Sequence, residues 1–301
     1  MAPRLELVTG KGGVGKTTLC AALALDAARN GQRPLVVELS RRASLTSVFG
    51  KELGHEARDM GHGVHALSVD VEEALVGYLA THLRVRSVAR KIIGSRALSG
   101  FLDAAPAVAE VATYHYLASL LAEEERGTPL WDPIFVDLDA TGHALMFLGL
   151  PDVLDGLLGQ SPLRGLVETF SEVLRDPEQT ALHLVTLPRE LPVEETEELS
   201  ARLRAEERVA LGELFVNRMP EPLIPEDLAG AVDALGALDD PATSADLALL
   251  EREARHRARA EAHLERLRAL PHRLTTLPAL PPGFSFADLA DLGALARRRA
   301  R

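Results

Sequence analysis

Short apolar runs alternate along this chain with longer segments of helical period. Residues 5–8 form the first run, glycines follow, and a helical pattern over 17–30 stops at Gly31. Runs at 34–39 and 64–69 predict two more buried strands, and the polar, His- and Gly-rich stretch 51–63 between them predicts a loop. From 71 to 125 the period turns helical: Val108, Val111, Tyr114 or His115, Ala118 and Leu121 recur at helical spacing, Gly94 and Gly100 break the run, and Pro106 starts it again. Strand character returns at 134–139, 181–187, 211–216 and 274–277. Pro188 closes the second of these, and Pro192 with Glu194 and Glu195 opens the helix after it. Residues 220–242 read as a connection, 245–270 as a long helix laced with Glu and Arg, and 285–301 as a terminal helix. Buried strands alternating with helices predict an α/β fold: a doubly wound, mostly parallel sheet with helices on both faces. One domain, 1–301, carries a helical subdomain inserted at about 71–125.

The glycines after the first run stand in a chemically specific frame. Gly10-Lys11-Gly12-Gly13-Val14-Gly15-Lys16-Thr17-Thr18 follows a strand and opens a helix, the context of a phosphate-binding loop. Backbone N–H groups of Gly12, Gly13, Val14, Gly15, Lys16, Thr17 and Thr18 can converge on the phosphates of ATP at the positive end of that helix. Lys16 can reach the β- and γ-phosphates, and the Thr17 hydroxyl can ligate Mg²⁺. The run 134–139 ends in acid, and Asp137 at its tip can hold the magnesium through a water. Ala140-Thr141-Gly142-His143 reads as a tight loop near the γ-phosphate, shaped by His143. Residues 44–50 read as a loop after the second strand, which faces the phosphates in such a fold. The 211–216 strand runs into Asn217, whose amide can pair with a donor and an acceptor of adenine, and the Pro-rich loop 278–282 would border the base.

Composition narrows the partners. An apolar fraction of 47% supports a sizeable core, and a net charge of −11 with no basic tail argues against a nucleic-acid surface. The basic residues Arg84, Arg86, Arg90, Lys91 and Arg96 form a local exception and read as a solvated helix face or a docking face for an acidic partner. Cys20 is the only cysteine, so no internal disulfide forms. His55, His62 and His65 lack a second set of ligands and read as part of a solvated loop. No run reaches membrane-spanning length and the phosphate loop follows the first residues at once, so the expected location is cytoplasmic.

Lys11 makes the loop the deviant form, K-G-G-V-G-K-T-T. From the residues alone Lys11 is one more cation for phosphate. The loop resembles the family of cell-division and plasmid-partition ATPases, the nitrogenase iron protein, and the arsenite-pump and guided-entry ATPases, and the resemblance implies that Lys11 crosses a dimer interface to the partner's nucleotide. Three further segments are similar to the arsenite-pump and guided-entry branch, and to its bacterial members most: Phe135 to Leu145 with its Asp and Thr-Gly-His, Ser44 to Phe49 at the end of a first switch, and Leu214 to Arg218 as the adenine strand. Leu187 to Glu197 and the Ala104-Ala105-Pro106 stretch of the insertion agree. The resemblance implies an ATP-hydrolysing switch, dimeric with itself or a paralogue, that moves its helical cap and handles a hydrophobic or membrane-protein client. A regulatory scaffold that binds ATP and hydrolyses it poorly is the alternative. Departures bear on this. One cysteine cannot supply the zinc clamp of the eukaryotic targeting factors or the metalloid site of the arsenite pumps, Met1, Met60, Met146 and Met219 all lie outside 71–125, and Ser40 stands where the family's catalytic first-switch aspartate falls, with Glu38 or Asp139 as possible substitutes.

Overall fold

A computed structural model describes residues 3–39, 44–83, 106–138, 141–155, 162–222 and 241–298. In chain order the elements are β1 (Leu5–Thr9), α1 (Lys16–Arg29), β2 (Leu35–Glu38), α2 (Ser44–Phe49), β3 (Arg58–Gly61), β4 (Val64–Ser68), α3 (Val71–Leu83), α4 (Pro106–Ala122), β5 (Glu124–Glu125), β6 (Thr128–Pro129) and β7 (Ile134–Asp137). Then come α5 (Thr141–Asp155), α6 (Pro162–Arg175), β8 (Thr180–Thr186), α7 (Glu190–Glu206), β9 (Leu211–Met219), α8 (Pro241–Arg268), β10 (Arg273–Pro278) and α9 (Phe286–Arg298). Eight strands form one sheet in the order β10-β9-β8-β1-β7-β2-β4-β3. All neighbours are parallel except β3, which runs antiparallel to β4 at the edge. The fold is the expected doubly wound α/β type, with β1 central between β7 and β8.

The central strands β1, β2, β7 and β8 are buried at every position because both faces are covered. Leu5, Leu7, Val37, Val136, Leu184 and Val216 point to one side, where they pack with Tyr114, Leu117, Phe147, Phe170, Val193 and Leu267 from α4 to α8. Val8, Val36, Phe135, Val185 and Phe215 point to the other, against α1, α2 and α9. Burying each such side chain is worth about 1.5–3 kcal/mol. Of the 71–125 insertion, α3 and α4 are described, and α4 is built into the main core: the Tyr114 hydroxyl donates to the Phe147 carbonyl oxygen at 2.6 Å. The basic stretch from Arg84 to Arg96 lies outside the described residues. Three sequence expectations need correction. The segment after the second strand is not a loop, since Ser44–Phe49 form α2; the stretch 51–63 is not all loop, since β3 pairs with β4 there; and Thr141-Gly142-His143 is the first turn of α5 rather than a tight loop.

The helix that leaves the phosphate loop has no polar stripe. Ala21, Ala22, Ala24 and Ala27 are all buried, because α1 lies between the sheet and α9. Their small side chains allow backbone-level approach: a Cβ on Gly293 of α9 would sit 2.0 Å from the Ala22 carbonyl oxygen. The far end of α9 is tied to β1. Arg297 donates to Oε1 of the fully buried Glu6 at 2.5 Å, and His183 Nε2 lies 3.1 Å from Oε2. His183 Nδ1 accepts the Glu213 N–H at 3.0 Å, so the proton sits on Nε2 and is donated to Glu6. Burial alone would raise the Glu6 carboxyl; Arg297 and His183 overcome it and hold the carboxyl below its ordinary range.

A depressed folded value for Glu6 means that its contribution to stability is present above the unfolded value and lost as pH falls through the folded one. Arg297→Met should therefore cost about 3 kcal/mol at neutral pH, the low end for breaking a buried pair because the guanidinium keeps some contact with solvent. The gap to the unmodified protein should close as pH drops below the usual carboxylate range. Urea titrations at pH 7 and near pH 3, about a unit below the ordinary carboxylate range, check this; an equal gap at both would show that Arg297 acts by packing alone.

Candidate nucleotide site

The site is built on the carboxyl ends of β1, β2, β7 and β9. The chain leaves β1 through Gly10, whose φ is 150° and whose Cβ, if present, would lie 2.1 Å from the Val185 carbonyl oxygen. It enters α1 through Gly15 at φ 101°, left-handed backbone that glycine adopts without strain. A Cβ there would lie 2.3 Å from Asn217 Nδ2. Between these tight points Gly12 and Gly13 are exposed, and nothing stands within 4 Å of where their Cβ atoms would be. The loop is thus fixed at both ends and open in the middle, where N–H groups can meet an anion.

Asn217 is one of the fixing points. Its Nδ2 donates to the Val14 carbonyl oxygen at 2.8 Å, and its Oδ1 accepts the Arg218 N–H at 2.9 Å. The amide keeps one hydrogen and one lone pair beyond these bonds. Its observed role is to brace the loop.

Lys16 folds back over the loop, with Nζ 3.1 Å from the Gly10 carbonyl oxygen and 3.4 Å from that of Lys11. Two carbonyl dipoles there hold an ammonium where a phosphate would present full charge. The Thr17 hydroxyl donates to Asp137 Oδ2 at 2.5 Å. Loop and β7 thus bring together two oxygen donors, one of them anionic and nearly fully buried, the donor chemistry that suits Mg²⁺. Thr18 is half-buried in the first turn of α1.

Lys11 points away from this centre and forms an ion pair with Glu195 of α7. Both side chains keep substantial exposure, 31% and 42%, so the pair can open at little cost. Glu195 was legible only as an acid early in a helix; its partner lies 184 positions away.

Glu38, a possible substitute base on the sequence, takes a different place. It is fully buried at the end of β2, in register with Asp137 on β7. Its Oε1 accepts the N–H groups of Ser44 at 2.6 Å and Leu45 at 3.1 Å, which fastens the start of α2. Oε2 is buried and meets no hydrogen-bond donor among the described residues. Burial pushes the carboxyl above its ordinary range against the pull of those N–H groups. Ser40, Asp139 and the His143 side chain lie outside the described residues.

No metal-binding group of three or more His, Cys, Asp or Glu occurs among the described residues. His55, His62 and His65 lie against three different aromatic rings, those of Tyr116, Phe286 and Trp131. Cys20 is fully buried in α1, where burial first and the Asp137 charge second push its thiol well above the ordinary value.

Comparison with known proteins agrees with the geometry. Residues 4–166, more than half of the chain, match the family model for anion-transporting ATPases. The chain is 32% identical to the ATPase BagA of Mycobacterium tuberculosis, over 96% of this chain and 91% of that protein. It is 30% identical to an arsenical pump-driving ATPase of Escherichia coli, over 66% of this chain and 37% of that one. A putative arsenical pump-driving ATPase of Halobacterium salinarum is 27% identical over 74% of this chain and 36% of its own length. With its phosphate loop braced between β8 and β9 as such chemistry requires, this chain belongs to the anion-transporting ATPase family and is an ATP hydrolase.

Proposed function

We propose that the protein is an ATP-driven switch that pairs with a second copy, or with a paralogue, around bound nucleotide. The observation that carries this is the position of Lys11. It lies beside the open part of the loop, yet its ammonium is directed to Glu195 rather than to the phosphate site. In the binding state the N–H groups of residues 12–18 take the phosphates, and Lys16 leaves the carbonyls of Gly10 and Lys11 for the β- and γ-oxygens. Thr17 and Asp137 would hold Mg²⁺ in place of their mutual hydrogen bond, and the ion would supply positive charge against the phosphate oxygens. Beyond the ends of β9 and β10, a cavity of about 310 Å³ bordered by Met219, Pro220 and Pro278 is a place for the base near Asn217. No helix of the described residues is long and apolar enough to cross a membrane, so a membrane-protein client would be handled by docking rather than by insertion of this chain.

The arsenical relatives suggest a metalloid effector, and this chain's thiol chemistry speaks against one. Its single cysteine is fully buried and raised away from the thiolate form.

Light scattering with a non-hydrolysable ATP analogue tests the switch. The mass should rise with analogue, and Lys11→Ala should abolish the rise while leaving analogue binding in place. A strict monomer under saturating analogue, alone and mixed with a paralogue, would sink the proposal. The second reading, an ATP-binding regulatory scaffold, is favoured by Ser40 at the expected aspartate position, and turnover separates the two.

A further inference from the structure

The cavity beyond the ends of β9 and β10 has a charged wall formed by α8. Arg257 and Glu261 stand one turn apart on that wall and form an ion pair, Nη2 to Oε1 at 3.0 Å. Arg257 also crosses to the chain just past β9, where its Nη1 donates to the Pro220 carbonyl oxygen at 2.6 Å. Arg255 and Glu251, at the same spacing on α8, pair only within the helix. The pair at 257 and 261 is instead fastened to the strand that carries Asn217 into the nucleotide site. Its side chains are 35% and 39% exposed and border the cavity, so a ligand there can reach them. Oε2 of Glu261 makes no hydrogen bond among the described residues, and the guanidinium has N–H groups left over.

We propose that Arg257 and Glu261 read the edge of the adenine base and set the preference for ATP over nucleotides with an oxo purine. The inference rests on the reading of this cavity as the place of the base. Adenine presents a donor, its exocyclic amino group, beside a ring-nitrogen acceptor. The Glu261 carboxylate only accepts and the Arg257 guanidinium only donates, so the pair is complementary to that edge, and both bonds are charge-assisted. An oxo purine puts an acceptor where Glu261 needs a donor. A site built on such hydrogen bonds rejects the wrong pattern more strongly than an apolar pocket does. Met219, Leu264 and Pro278 supply apolar surface for the ring faces. A volume of about 310 Å³, at the small end for small-molecule sites, suits a base whose phosphates lie outside it on the loop.

Calorimetry on the full chain with ATP, ITP and inorganic tripolyphosphate tests this. ITP keeps the sugar and phosphates of ATP and exchanges the donor and acceptor on the base. ATP should bind the unmodified protein about tenfold or more tightly than ITP. Glu261→Gln gives an amide that can turn a donor to the oxo group, and should bring the ATP-to-ITP ratio to about threefold or less. Arg257→Met should weaken ATP by about tenfold and ITP by less. Thermal midpoints without nucleotide should hardly move, since the pair is partly exposed, and report that both variants are folded. If Arg257→Met does not fold, Glu261→Gln decides. ATP bound without preference over ITP, or a preference that the folded variants keep, overturns this inference and leaves the nucleotide site standing. Failure of both ATP and tripolyphosphate to bind the unmodified chain would remove the nucleotide site and this inference with it.

Discussion

Lys16→Ala is expected to weaken ATP binding by about 100-fold or more, since each charge-assisted contact to a phosphate is worth about 1.5–3 kcal/mol and this side chain can reach two. The change should leave the fold intact. In the structure Lys16 Nζ donates to two carbonyl oxygens of its own loop, while the loop is held by Asn217 and by the packing of Gly10 on Val185. Binding and stability should therefore separate: calorimetry should show the loss, and the thermal midpoint without nucleotide should hardly move. The stabilisation that ATP confers on the unmodified protein should vanish in the variant, because a ligand that no longer binds the native state no longer shifts unfolding. Equal ATP affinity in the two proteins would remove Lys16 from the site.

Ser40→Asp is expected to raise turnover by about 10²–10⁴-fold without tightening ATP binding, the span associated with a positioned base. Hydrolysis needs a water in line with the γ-phosphate, and a serine hydroxyl can hold that water but cannot take its proton at neutral pH. Two neighbouring carboxylates could in principle serve instead. Asp139 lies outside the described residues. Glu38 is sealed from solvent with one oxygen on the Ser44 and Leu45 N–H groups, which makes it an anchor for α2 rather than a base. Glu38→Gln should then change the placing of α2 and nucleotide affinity more than the pH dependence of turnover. Single-turnover measurements on Ser40→Asp decide the main point. If the unmodified protein already hydrolyses ATP at tens per second, or if the aspartate leaves the rate unchanged, the register through 38–45 is wrong.

The parts of this fold that could be read from the chain are those where burial is complete on both faces or where glycine has a single use. β1, β2, β4, β7, β8 and β9 are near-continuous apolar runs because helices cover the sheet on either side. The phosphate loop was legible because Gly10 and Gly15 need backbone angles and clearances that no other residue meets. What escaped reading escaped for local reasons. α5 contains Gly142, Gly149 and Pro151, which are breaker signals. α6 does carry a helical stripe, Val167, Phe170 and Leu174 against Arg164, Glu168 and Glu172, so its signal was present in the chain. β3 is an edge strand with Arg58 and Asp59 exposed, the pattern of a loop. The Lys11–Glu195 pair and the anchoring of α2 by Glu38 depend on tertiary placement and leave no mark in spacing.

The close seat of Gly293 on Ala22 and the tie from Arg297 to Glu6 have a consequence for how the protein is made. The two ends of that tie are 291 positions apart, so the phosphate-loop helix has no cover on its outer face until the last turns of α9 have been synthesised. A nascent chain therefore carries an alanine- and leucine-rich surface on α1 until α9 has emerged. Docking of α9 is then expected to be the step that completes the ATPase module. Ribosome-bound chains halted before α9 should leave that surface open to chaperones, and tags placed directly after α9 should slow maturation more than tags placed before β1.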